Sequence, residues 1–198
     1  MGKKIIAVDL DDVVAANAEG FVKFSNDRWG THLQPEDFHE DLISLWGVDH
    51  ETVLQRIMEY CEAEIVREYG HFSEALPVLK RLKKNHSLLL VTSRRRLLKQ
   101  ATADWVQQYL PGIFDAIHHA GLFDDPNKNA HHLTKADILR KLNADHLIDD
   151  QLKHCEAAAK IGIPSVLFGD YKWNQADKLP KGVTRAKDWQ AVAEYFGV

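Results

Sequence analysis

The run Ile5-Ile6-Ala7-Val8-Asp9-Leu10-Asp11-Asp12-Val13-Val14 decides how this 198-residue chain is read. Its first half is short, apolar and β-branched, the pattern of a strand buried on both faces. Its second half breaks the apolar run with carboxylates at Asp9, Asp11 and Asp12. A buried strand that ends in acids delivers charge to the edge of a sheet. In parallel α/β sheets that edge, beyond the carboxyl ends of the strands, is where ligands bind.

Working outward, the chain supplies the rest of the sheet. Ser87–Val91, Asp115–His119, His146–Ile148 and Ser165–Phe168 are further short runs that end in polar or turn residues. Helical patterns lie between them. Glu74–Lys84 places Leu76, Leu79 and Leu82 at helical spacing, and Arg96–Leu110 aligns Leu97, Leu98, Ala101, Trp105 and Leu110. Thr134–Leu142 and Leu152–Ile161 are shorter helices. Strands alternating with helices predict an α/β fold, a Rossmann-like parallel sheet with helices on both faces.

One stretch departs from this alternation. About 60 residues after the first strand carry no strand signal, too many for a simple crossover. Ala16–Trp29 is apolar at Phe21, Val22 and Phe24, and Glu51–Tyr69 reads as one helix with Leu54, Ile57, Met58, Cys61 and Ile65 as its stripe. This is read as a small helical lobe over residues 15–76, inserted into a core made of 1–14 and 77–198. Phe123–His132 reads as a polar loop around Pro126.

Composition narrows the function classes. Apolar residues make up 45% and charged residues 27%, which excludes a disordered, fibrous or coiled-coil chain. With Lys+Arg 25 and Asp+Glu 29 the formal net charge is -4, no footprint for a nucleic-acid polymer or an anionic membrane. No run approaches the ~20 apolar residues of a membrane helix. The apolar stretch after the basic start ends at Asp9, too soon for a secretory signal. Cys61 and Cys155 form no disulfide framework. A cytoplasmic protein is the expectation, as a monomer or a homodimer.

The residues just past each strand carry chemistry. Asp9, Asp11 and Asp12 come after the first, Thr92 and Ser93 after Leu88-Leu89-Leu90-Val91, and Asp149-Asp150 after His146-Leu147-Ile148. Lys135 opens the helix before that last strand. Carboxylates converging from two strands repel one another and need a cation between them. Hard oxygen ligands suit Mg²⁺, usually completed by substrate phosphate. A hydroxyl and an ammonium can hold phosphoryl oxygens. Asp9 and Asp11 are two apart and so face the same way on a strand. One suits a nucleophile, the other a general acid/base. Taken singly, each residue reads as an ordinary helix cap. Taken together at the ends of successive strands, they read as a site.

The motifs resemble those of the haloacid dehalogenase superfamily over essentially the whole chain. Asp9-Leu10-Asp11-Asp12-Val13-Val14 looks like motif I, Thr92 like motif II, Lys135 like motif III and Asp149-Asp150 like motif IV. Lys128 is a rival for the motif III role. The inserted lobe is similar to the family's C1 cap. The resemblance implies a Mg²⁺-dependent phosphomonoester hydrolase. Asp9 would form an aspartyl-phosphate, and Asp11 would protonate the leaving oxygen and then activate water. Mg²⁺ would be held by Asp9, the Asp11 carbonyl, Asp149 and Asp150, with Thr92, Ser93 and Lys135 on the phosphoryl group. An acid at Asp11 favours a phosphatase or phosphotransferase over a dehalogenase. Asp12 stands where many members have Gly, and Asp tolerates unusual turn conformations.

Asp9–Val14, Val91-Thr92-Ser93-Arg94, Leu147–Asp150 and Leu167–Asn174 are also similar to the 5′(3′)-deoxyribonucleotidase family and its bacterial relatives. That implies a nucleoside monophosphate as the small-molecule phosphate ester. Phe21, Phe24, Trp29, Phe38 and Trp46 offer rings to stack on a base, or else form the lobe's own core. Arg94 reads as part of a solvated helix start, with a reach to substrate as the alternative. His118-His119 and His131-His132 match no zinc spacing. Trp173-Asn174 falls in a loop after the last strand and has no assigned role. A phosphatase of another metabolite such as a sugar phosphate, a non-catalytic phosphate- or nucleotide-binding regulator, and phosphotransfer in place of hydrolysis stay open. A receiver-like phosphoacceptor fits less well, given the order of the acids and the inserted lobe.

Overall fold

The computed structural model describes residues 2–121 and 134–198. The loop read at Phe123–His132, with Lys128, His131 and His132, lies outside the described residues. Six parallel strands form one sheet in the order β3-β2-β1-β4-β5-β6. They are β1 (Lys4–Val8), β2 (His86–Thr92), β3 (Ala116–His119), β4 (His146–Asp149), β5 (Ser165–Phe168) and β6 (Val183–Ala186). β1 is flanked by β2 and β4, with Val8 opposite both Leu90 and Ile148. The strand order therefore switches direction at β1, the place where such sheets open a ligand crevice.

Period-two alternation divides the core. Ile6 and Val8 of β1 pack with Leu88, Leu90, Leu79, Leu82, Trp105 and Trp189 on one face. Ala7 turns the other way, onto Leu139, Leu147 and Ala158. The covering helices are α4 (Ala75–Asn85), α5 (Lys99–Tyr109), α6 (Lys135–Leu142), α7 (Leu152–Lys160) and α8 (Trp189–Phe196). β6 and α8 extend the five-strand expectation. β6 is a four-residue edge strand whose Thr184 is exposed, so it lacks the continuous apolar run that marks buried strands. Asp188 caps α8 by accepting from the Ala191 amide at 2.8 Å.

The stretch between β1 and α4 is helical, as its composition predicts. It holds α1 (Asn17–Trp29), α2 (Leu42–Trp46), α3 (His50–Glu62) and one-turn 3₁₀ segments at Pro35–Asp37 and Ile65–Glu68. The single helix expected over Glu51–Tyr69 is broken at Glu64, whose φ of 48° is left-handed. Its buried stripe is Val53, Ile57 and Cys61, while Met58 is exposed. Leu97, placed on the α5 stripe, is likewise exposed because Arg96–Leu98 forms a separate 3₁₀ turn. Phe21 stacks on Trp46 at 5.4 Å and meets Phe38 edge-on at 5.3 Å. A Cβ at Gly20 would lie 2.3 Å from the Tyr69 ring, so only glycine lets α1 approach residue 69. These side chains join one continuous apolar cluster with the sheet face. Both cysteines are buried free thiols. Among the described residues no helix is long and apolar enough to cross a membrane.

Candidate active site

β1 ends at Val8, two residues before its apolar run does, but the Asp9 amide still donates to Ile148 O at 2.8 Å. This keeps Asp9 in register between the neighbouring strand ends. Asp149 is the last residue of β4 and Asp150 comes next. Carboxylate oxygens of Asp9, Asp149 and Asp150 lie within 4.8 Å of one another, all buried. Lys135 enters from the first turn of α6, whose start is fixed by a capping box between Thr134 and Asp137. Its Nζ donates to Asp149 Oδ2 at 2.7 Å and lies 2.7 Å from Asp9 Oδ1.

Three buried carboxylates thus face one buried ammonium. Burial first, and then the neighbouring Asp149 and Asp11 charges, push Asp9 up to about 7 against the pull of Lys135. Asp150 is raised well above the usual carboxylate range by burial and by Asp149 and Asp9. Burial opposes the charge on Lys135, yet Asp149 and Asp9 hold it above the ordinary lysine value. Asp9 Oδ1 is fully buried and accepts no properly aligned hydrogen bond. Three buried carboxylates against a single ammonium leave an excess of negative charge on hard oxygen donors, which fits a divalent cation such as Mg²⁺.

Asp11 is directed elsewhere. Arg94 grips its carboxylate with Nε at 3.0 and 3.1 Å and Nη2 at 2.7 Å. This corrects the solvated reading of Arg94, which is only 8% exposed. Its guanidinium also meets Thr102 Oγ1 at 3.3 Å and lies over the Tyr69 ring at 5.4 Å. The Asp11 side chain stands outside the buried carboxylate cluster. Thr92 is fully buried, and its hydroxyl accepts from the Arg94 amide at 3.1 Å. Ser93 lines the cleft. Asp12 adopts φ 55°, the left-handed conformation that Asp tolerates. Its carboxylate accepts from the Ala18 amide and the Asn17 side chain, and burial raises it to about 7.

A cleft of about 170 Å³ opens over these groups, between the strand ends and the inserted helices. Asp9, Asp11, Ser93, Arg94, Lys135 and Asp150 line its floor, with Phe21, Phe38 and Tyr60 above. Trp29 and Trp46 do not line it. They pack edge-on at 5.0 Å behind Phe21, capped by the Arg56 guanidinium. The aromatic signal in the sequence is therefore divided between a wall and a small core. Sequence reasoning misses several further cleft residues that no motif marks, among them Tyr60, Gln151 and His154. It also leaves Trp173 without a role, although the indole donates to Asp150 Oδ2 at 2.7 Å.

Comparisons with known proteins agree with this architecture. A protein named "Putative nucleotidase YqfW" of Bacillus subtilis is 25% identical over 193 residues, covering 96% of this chain and 92% of that protein. The haloacid dehalogenase-like hydrolase SP0104 of Streptococcus pneumoniae superposes with a TM-score of 0.73 at 17% identity, covering 98% of both chains. A magnesium-bound Bacillus subtilis structure, the "putative HAD-hydrolase YfnB", superposes with a TM-score of 0.66 at 10% identity over 100% of both chains. At those identities the two structures speak for the fold. The family model described as "5' nucleotidase, deoxy (Pyrimidine), cytosolic type C protein" matches residues 3–197. The chain therefore belongs to that family, and it is a phosphatase with a haloacid dehalogenase-like fold.

Proposed function

We propose that the protein is a Mg²⁺-dependent phosphomonoesterase that works through an aspartyl-phosphate at Asp9 and takes nucleoside monophosphates. The observation that carries this reading is the buried set Asp9, Asp149, Asp150 and Lys135, with Asp11 lining the same cleft. Asp9, Asp149 and Asp150, with the Asp11 carbonyl, would hold the metal. Bound there, Mg²⁺ offsets the carboxylate charge and draws electron density from phosphoryl oxygens. Asp9 attacks phosphorus and the ester P–O bond breaks, while the leaving oxygen takes a proton from Asp11. A water then gives its proton to Asp11 and attacks phosphorus. The Asp9 carboxylate is expelled and inorganic phosphate is released. Lys135, Thr92 and Ser93 neutralise and orient the phosphoryl group. Arg94 holds both Asp11 oxygens in the resting site, so the acid/base role of Asp11 requires the guanidinium to loosen its grip when substrate enters.

Residues 15–76 act as a cap in this reading. The cleft of about 170 Å³ is smaller than the roughly 300 Å³ at which ligand pockets usually begin. A nucleotide therefore enters with the cap lifted, and Phe21, Phe38 and Tyr60 meet its base on closure. That same small volume favours, as a second reading, a compact ester such as a sugar phosphate. Turnover of nucleoside monophosphates and sugar phosphates with Mg²⁺, by wild type and Asp9→Asn, tests both. Asp9→Asn is expected to lower kcat by at least about 10⁴-fold with its fold intact. Near-normal turnover by Asp9→Asn overturns the mechanism, and equal rates on both ester classes overturn the nucleotide preference alone.

A further inference from the structure

The segment Tyr171–Asn174 lies after β5 and folds into a 3₁₀ turn over Lys172–Asn174. Its side chains reach back to the ends of two other strands. Tyr171 donates from its hydroxyl to Asp12 O at 2.8 Å, just beyond β1. Trp173 donates from Nε1 to Asp150 Oδ2 at 2.7 Å, just beyond β4. Asn174, fully buried, donates to Asp150 O at 3.0 Å and to Phe168 O at 2.9 Å. Arg185 of β6 pins the turn from behind through Gly169 O, Asn174 Oδ1 and Asn174 O at 2.6–2.8 Å. The Tyr171 and Trp173 rings stack at 4.4 Å and 7°. The indole also meets Phe38 of the inserted stretch edge-on at 5.6 Å.

Asp150 is thereby held through both its backbone and its side chain. Oδ2 accepts from Trp173 and, at 2.9 Å, from Gln151 Nε2. Among the described residues no hydrogen bond reaches Oδ1, and Asp150 contributes a carboxylate oxygen to the cluster with Asp9 and Asp149. Groups that hold metal-bound carboxylates by hydrogen bonds tune metal affinity by orienting the ligands, typically by 10–100-fold.

We infer that Trp173 is a positioning residue for the cation site: its indole N–H fixes the Asp150 carboxylate with one oxygen turned to the metal. This rests on the reading that Asp9, Asp149 and Asp150 bind Mg²⁺. Trp173 touches neither the metal nor the substrate. It acts through Asp150, and the stack on Tyr171 and the contact with Phe38 hold the indole in the plane the bond requires.

The test is a Mg²⁺ titration of the full chain by calorimetry and by tryptophan emission, with no substrate present. Trp173→Phe keeps an aromatic ring beside Tyr171 and Phe38 and removes the donor together with part of the indole surface. It is expected to bind Mg²⁺ about 10–100-fold more weakly than wild type. Wild-type emission is expected to change on Mg²⁺ addition, and that change is expected to vanish in Trp173→Phe although four other tryptophans remain. Gln151→Leu removes the second donor to the same oxygen. It is expected to weaken Mg²⁺ binding while keeping the emission change, so the inference stays testable if Trp173→Phe folds poorly. Unchanged Mg²⁺ affinity in Trp173→Phe, or in both variants, overturns the role given to Trp173 and leaves the metal site standing. Absence of Mg²⁺ binding by wild type overturns the metal site and this inference with it.

Discussion

The carboxyl edge of the sheet and the helical stretch between β1 and α4 share one apolar cluster but solve different problems. At the edge, charge is buried: Asp9, Asp149, Asp150 and Lys135 are each under 5% exposed. In the helical stretch, volume is buried, as Phe21 and Trp46 stack with Val53, Ile57 and Cys61 around them. Buried charges fail when one partner is lost, because desolvation cannot be recovered. Buried apolar groups fail in proportion to the atoms removed. The two regions should therefore respond to mutation on different scales, and only the edge should respond to a cation.

The largest effect is expected at Lys135. Lys135→Met removes the ammonium 2.7 Å from both Asp9 and Asp149 and leaves the carboxylates facing one another. Breaking a buried pair in this way costs about 3–5 kcal/mol. Urea unfolding should show that loss without Mg²⁺ and a smaller one with it, since a cation takes over part of the charge. An equal loss in both conditions would break the contrast, because Lys135 would then act by packing alone.

A middle-sized effect is expected in the helical stretch. Val53 is 6% exposed and does not line the cleft. Val53→Ala removes two methyl-sized groups and should cost about 2 kcal/mol. Its Mg²⁺ affinity should equal that of wild type within about twofold. A drop in Mg²⁺ affinity would show that packing in the inserted helices is transmitted to the carboxylates, and the two regions would count as one unit.

The same contrast explains what can be read from the sequence. The edge is legible because each acid or hydroxyl comes after an apolar run, and strand ends in parallel sheets converge whatever the loops do. Asp9, Thr92, Asp149 and Asp150 are found that way. Lys135 is found because it opens the helical pattern before the Asp149-Asp150 strand and matches motif III; the capping box between Thr134 and Asp137 that fixes this start is seen only in the structure. Arg94 is hidden by its neighbours. A run of three arginines looks solvated, and its partner Asp11 is 83 residues distant. Trp173 is hidden for the same reason, since its acceptor lies 23 residues back in the chain, at the end of another strand. The aromatic residues of the helical stretch are legible as a group but not singly. Spacing does not tell a cleft wall such as Phe38 from a core ring such as Trp46.

The smallest effect is expected where the two regions meet at the surface. Lys153 of α7 forms an ion pair with Glu40, which precedes α2, and their side chains are 57% and 29% exposed. A pair so wet gains little, because solvent and salt screen it and two long side chains lose freedom in forming it. Lys153→Gln should therefore change the unfolding free energy by less than about 0.5 kcal/mol, and by nothing measurable in high salt. The pair nevertheless spans the rim of the cleft, and Glu40 is one of the residues that line it. A stability loss well above about 1 kcal/mol would mean that the pair, and not the buried aromatic cluster, holds the inserted helices against the sheet. The hinge of the comparison would then lie at the rim. Hydrogen exchange decides the point: with the aromatic cluster in control, α1 and α3 exchange equally fast in Lys153→Gln and wild type.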